Sequence, residues 1–147
     1  MAILIWEVSL LDGPLEWPGP VGCPSAGATV DFWGIVRERE AGRLIEGINY
    51  EVHQAMAKHQ MKLLAEKALR DFSLTGLMLR HRIGFVRVAE ASLFLRTASS
   101  HRAAAFAASQ WLVDQLKQKV PIWKRPIFQG GVMIDAGTVV DLANETV

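Results

Sequence analysis

Cysteine is almost missing from this 147-residue chain. Cys23 is its single example, which excludes an internal disulfide and any metal site built from several thiolates. Long apolar runs are missing too: none approaches the roughly 20 residues a membrane-spanning helix needs, so no membrane partner is expected. There is no surplus of basic charge, with 16 Lys and Arg against 15 Asp and Glu for a net charge of +1. A nucleic-acid binder ordinarily carries a basic face that such a balance does not supply, and no nucleic-acid partner is expected. The glycines spell neither G-x-x-x-x-G-K-[ST] nor G-x-G-x-x-G, which removes ATP and NAD as expected cofactors. A G-x-S-x-G elbow is absent, and Cys23, within PGPVGCPSAG, has no activating base close in sequence, so it reads as an incidental thiol. The histidines are His53, His59, His81 and His101. His53 and His59 fall on different helix faces, and no carboxylate or thiol completes a ligand set, so no metal is expected.

With half of its residues hydrophobic and 21% charged, the chain has the composition of an ordinary globular protein, expected to act in the cytoplasm and to form one domain over residues 1–147. MAILIWEVSL lacks the basic flank and small-residue cleavage site of a signal peptide, and residues 3–8 read as a first strand. A Pro/Gly-rich connector follows. Residues 28–36 (ATVDFWGIV) are β-branched and aromatic and predict a strand, with Gly34 marking a bulge or a close backbone approach. The charged run 37–43 predicts an exposed, mobile loop. Residues 44–52 then predict a second strand, pairing back on the first as a hairpin. From Gln54 to Phe72 the period becomes helical, with Ala57, Met61, Leu64, Ala68 and Phe72 on one face. Residues 77–84 and 92–98 predict two strands with a polar connector at 85–91. A second helix and a strand at 122–128 follow, then a turn at Gly130-Gly131, one more short strand at 132–134, and a tail that is weakly specified after about residue 131. Hairpins interleaved with two helices imply an α+β domain, its helices packed on a mainly antiparallel sheet.

The most heavily loaded stretch is Ser99–Phe128, with Arg102, Lys117, Lys119, Lys124 and Arg125 against the single acid Asp114. Ser99 or Ser100 is placed to cap the helix start. His101 and Arg102 follow directly, where the helix dipole already favours an anion. Ala105, Ala108, Leu112, Leu116 and Val120 form the apolar face, and Pro121 ends the helix. Spacing alone leaves two readings open: a site for a small anionic ligand, or lysines that merely complement the C-terminal dipole.

Several segments resemble the MoaE family, the large subunit of molybdopterin synthase. The run His101-Arg102, Lys117, Pro121-x-Trp123-Lys124-Arg125 is similar to that family's signature. So are Gly27-Ala28 with Phe32-x-Gly34-x-Val36-Arg37, Tyr50-Glu51 with Met56, and His81-Arg82-Ile83-Gly84. The similarity runs from about Gly27 to Lys124. Departures from the pattern are Pro126 in place of an acidic residue, His53 in place of a tyrosine, Ala89 in place of a turn glycine, and a tail after Gly131 lacking Trp and Arg.

The resemblance implies an α/β-hammerhead-like fold and a sulfurtransferase activity. In that activity cyclic pyranopterin monophosphate becomes molybdopterin by gaining two sulfurs as a dithiolene. The sulfur comes from the C-terminal thiocarboxylate of a small, ubiquitin-like subunit ending in Gly-Gly, and two large subunits form a homodimer at the centre of a heterotetramer. The resemblance further implies Lys117 and Lys124 as catalytic residues and Arg37, His101, Arg102 and Arg125 as substrate-binding ones, with no cofactor and no metal. A helix start bearing His101 and Arg102 suits a cyclic phosphate, and lysines suit proton transfer or the holding of a transient anion. A non-catalytic homologue that docks the same small protein is the alternative.

Overall fold

The computed structural model describes residues 5–20, 22–135 and 138–141, the last two strands by their backbone only. Its elements in chain order are β1 (Ile5–Leu11), β2 (Ala28–Ile35), β3 (Arg39–Glu40), β4 (Arg43–Val52), α1 (Gln54–Asp71), β5 (Gly76–Arg82), β6 (Gly84–Arg87), β7 (Ala91–Ser99), α2 (Arg102–Lys119), β8 (Ile122–Phe128), β9 (Gly131–Asp135) and β10 (Thr138–Asp141). The architecture is α+β, as the order of periodicities predicts.

A first sheet has the order β1-β5-β7-β2. Its β1–β5 pair is parallel and the rest antiparallel. Both helices lie on one face of it, where Met61, Ala65, Ala68, Leu77, Leu79, Leu95, Ala108 and Leu112 are fully buried together. Truncating one such leucine to alanine costs about 2–5 kcal/mol. Small residues Ala105 and Ala108 let α2 approach closely, and the buried Thr97 hydroxyl donates to the Ala105 carbonyl at 2.8 Å, fixing the helix on β7. On the opposite face Arg96 holds Asp31 through two hydrogen bonds of 2.6 and 2.7 Å and reaches the Gly19 carbonyl at 2.6 Å. Arg80 pairs likewise with Glu7 and donates to the Glu16 carbonyl at 3.1 Å. Two arginines thus clamp the proline-rich connector onto the sheet.

A second, smaller sheet is centred on β4, which pairs with β3, β6 and β8. Val36, Ile45, Ile48, Tyr50 and Val86 form its core, and Ile122 packs against both cores at the seam between the sheets.

Several expectations change. The strand predicted at 44–52 does not fold back on β2, which pairs with β7 instead. The β2–β7 register shifts between Gly34 and Ile35; beyond that bulge the Val36 N–H turns to the Glu90 carbonyl and the chain crosses to the second sheet. The run 37–43 is a tight β3–β4 hairpin rather than a mobile loop. Ala41 and Gly42 both take positive φ, 51° and 78°, as a two-residue turn matched to strand twist requires. The polar connector at 85–91 contains strand β6. Strand β1 continues to Leu11, past the predicted end at residue 8. The strand at 122–128 has the expected bounds, while residues 142–147 lie outside the described residues.

Candidate functional site at the two ends of the second helix

At the start of α2 the cap differs from expectation. The residue in the capping position is His101, and no side chain caps the first turn. Ser99 is buried at the end of β7 and its hydroxyl donates to the His101 carbonyl, while the Ser100 hydroxyl donates to the Ser25 carbonyl at 3.4 Å. Both serines lie before the capping position, and His101 offers no side-chain cap, so the first-turn N–H groups keep their capacity for an external acceptor. The backbone leading into this end is seated by Gly27. Its N–H bonds the Ser99 carbonyl at 2.9 Å, and a Cβ there would lie 2.2 Å from the Ser100 carbonyl oxygen. Only a residue without a side chain allows that approach. His101 and Arg102 are both exposed. Cys23 carries a free thiol 3.5 Å from the Ser25 hydroxyl, whose hydrogen bond draws it below the ordinary thiol value.

At the other end, Lys117 is exposed in the last turn of α2. Val120 closes the helix by donating to the Leu116 carbonyl, and the chain turns at Pro121 into β8. On β8, side chains alternate between faces. Lys124 lies opposite Tyr50 on the face of β8 that also carries Ile122, and it is exposed at the rim of the small sheet. Arg125 therefore stands on the other face, where its guanidinium pairs with Glu51 at 2.9 Å. Lys124 thus lies near His81 at the seam, Lys117 lies on the last turn of α2, and Arg125 is engaged by Glu51. Pro126 sits opposite Ile48, and pairing continues unbroken through Ile127.

Arg37 follows the buried Val36 at the crossover between sheets and is exposed. Arg37, Arg102, Lys117 and Lys124 have no ion-pair partner among the described residues. An 18-residue helix separates Arg102 from Lys117 by about 22 Å along its axis, so within one chain the two ends do not meet.

One residue at the seam went unnoticed as a candidate. His81 is buried, its Nδ1 lies 2.7 Å from the Arg82 carbonyl oxygen, and its ring meets that of Tyr50 edge-on with centroids 5.2 Å apart. Its signal was present in the sequence: Leu77, Leu79 and His81 alternate on one strand, which puts an imidazole on the apolar side.

Fold and site together define an α+β protein with a helix offering cationic groups at both ends, suited to a ligand carrying negative charge. Comparison with known proteins makes the class specific. Residues 17–119 match the family described as MoaE protein, and the chain belongs to that family. It is 36% identical over 118 residues to the molybdopterin synthase catalytic subunit of Thermoplasma volcanium, covering 80% of this chain and 86% of that one. It is 36% identical over 111 residues to that of Pyrococcus abyssi, covering 76% and 75%. Among solved structures it superposes on molybdopterin synthase from Staphylococcus aureus with a TM-score of 0.76 at 25% identity, over 83% of this chain and 91% of the other. Its fold is also similar to that in a complex of subunits 1 and 2 of molybdopterin-converting factor from Helicobacter pylori, with a TM-score of 0.61 at 21% identity over 82% and 75%.

Proposed function

We propose that this chain, acting as one domain, is the catalytic subunit of a molybdopterin synthase. It transfers sulfur from the C-terminal thiocarboxylate of a small Gly-Gly-ended subunit to cyclic pyranopterin monophosphate. The observation that supports the reading is the exposed Lys124 opposite Tyr50 on β8, near His81, on the strand that follows directly from the end of α2 bearing Lys117. Both lysines match the family's motif. In this reading the phosphate binds at His101 and Arg102, where free N–H groups, the helix dipole and a guanidinium converge. Arg37 adds a further cation. Lys117 and Lys124 act where the thiocarboxylate sulfur attacks, holding the charge that develops and moving protons to or from the pterin side chain. Arg125, paired with Glu51, supports the strand rather than the ligand.

The 22 Å between the ends of α2 exceeds the reach of a small pterin. One substrate therefore touches both ends only if they come from two protomers of a homodimer, which gives the dimer a catalytic role. The scaffold alternative draws on two departures from the family pattern, Pro126 and the tail after Gly131; Pro126 leaves the β4–β8 pairing intact and so does not favour it.

The test is reconstitution of the purified chain with thiocarboxylated small subunit and precursor. Molybdopterin is expected to form, and Lys117→Ala is expected to slow turnover by at least about 100-fold, the lower range for a proton-transferring or charge-holding group. Unchanged turnover in that variant removes Lys117 from the chemistry.

A further inference from the structure

His81 is a buried titratable group that the chemistry above leaves unused. It is 9% exposed and lies on the face of β5 that also carries Leu77 and Leu79. The Arg82 carbonyl, 2.7 Å from Nδ1, can only accept, so Nδ1 carries the proton and the lone pair is left on Nε2. No hydrogen bond engages Nε2 among the described residues. The Tyr50 ring lies edge-on to the imidazole at 72°, and Tyr50 is the cross-strand partner of Lys124. Directly opposed residues in a sheet have Cβ atoms about 5 Å apart on one face, which brings Lys124, Tyr50 and His81 to one corner of the seam. Burial and the nearby Lys124 ammonium both hold His81 below the ordinary imidazole value, so the ring is neutral at neutral pH. The groups facing it are Tyr50 from β4, Lys124 from β8 and the Arg82 carbonyl of its own strand.

We propose that His81 is the positioning residue for Lys124: its Nε2 lone pair accepts a hydrogen bond from the Lys124 ammonium when that side chain folds across Tyr50, fixing Nζ at the seam. His81 Nε2 has no hydrogen-bond partner and is not sealed off among the described residues, so the exposed Lys124 ammonium, which has no ion-pair partner among those residues, can reach it. The inference rests on the reading of Lys124 as a reaction-site lysine, but the contact itself exists with or without turnover.

Nitrogen-15 NMR of the imidazole ring tests the contact directly. The expected result is the Nδ1–H tautomer with a titration midpoint below that of an ordinary histidine, and a rise in that midpoint in Lys124→Ala. Kinetics test the consequence. His81→Asn keeps a donor for the Arg82 carbonyl but lacks the acceptor, and kcat is expected to fall about tenfold, the equivalent of one hydrogen bond, with KM unchanged. His81→Gln places an amide oxygen near the Nε2 position and is expected to recover most of that loss. A midpoint unmoved by Lys124→Ala overturns the proposal, as does an equal loss of kcat in the Asn and Gln variants. If neither His81 variant folds, the NMR comparison in Lys124→Ala decides alone. A wild-type protein that transfers no sulfur, with the midpoint shift present, removes the functional reading and leaves the contact standing.

Discussion

The two ends of α2 carry charge of the same sign against opposite backbone backgrounds. At His101 and Arg102 the side chains add to a helix terminus that is already positive and whose first-turn N–H groups are uncapped. At Lys117 and Lys119 the ammonium groups sit on the negative end, where the dipole offsets part of their charge. The first arrangement is relieved by a permanent anion. The second is comfortable without one and is suited to charge that appears only during a reaction. The same residue types are therefore suited to different work at the two ends: one to holding a permanent anion, the other to charge that appears only during a reaction.

The largest effect expected from this contrast is a split between kinetic constants. Lys117→Ala lowers kcat, whereas Arg102→Ala should raise KM for the precursor about 10- to 100-fold, the value of one or two charge-assisted hydrogen bonds, with a smaller change in kcat. Initial rates against precursor concentration separate the two. If the ends cooperate across a dimer, mixing these two variants at precursor concentrations well below the raised KM, where both are nearly silent, and allowing protomers to exchange should restore about a quarter of wild-type activity, since half of the dimers are mixed and each holds one intact site. No recovery on mixing would place both ends of a working site in one chain. A smaller effect is expected from Gly27→Ala, whose Cβ meets the Ser100 carbonyl. It should cost about 1–3 kcal/mol in urea unfolding and weaken phosphate binding at the start of α2 while leaving the lysine end untouched. The smallest change is a gain. Ala89 holds φ at +73° in the turn after β6, so Ala89→Gly should stabilise the fold by about 1 kcal/mol without altering either end, read as a rise in the urea midpoint.

Much of this was legible in the chain itself. The 3.6-residue recurrence of Ala57, Met61, Leu64 and Ala68 sets α1, and the run from Ala105 to Leu116 sets α2 with its two cationic ends. Strand partners were not legible. β2 and β4 are neighbours in sequence and both look like half-buried strands, yet a single bulge after Gly34 sends them to different sheets, a choice made by tertiary packing. Capping failed for a related reason: a serine caps a helix from the residue just before its first turn, and β7 runs on to Ser99 so that His101 takes that place, leaving the Ser99 and Ser100 hydroxyls to donate to the His101 and Ser25 carbonyls. Lys124 and Arg125 looked equivalent as neighbours in a basic run, and only the pairing of β8 with β4 sets one opposite Tyr50 and the other against Glu51.

That alternation makes chain length between α2 and β8 a functional quantity. The link is short and rigid: Val120 closes the helix, Pro121 turns the chain, and Ile122 donates back to the Val120 carbonyl at 2.8 Å. Inserting or deleting one residue there would turn Lys124 to the other face, a deletion putting the Arg125 guanidinium and an insertion the Trp123 indole where the amine stood, while the sheet closed as before. Two residues would restore the face but move the amine about 6.6 Å along the strand. In lineages descended from such a chain, this link is a place where substitutions are tolerated and changes in length are not.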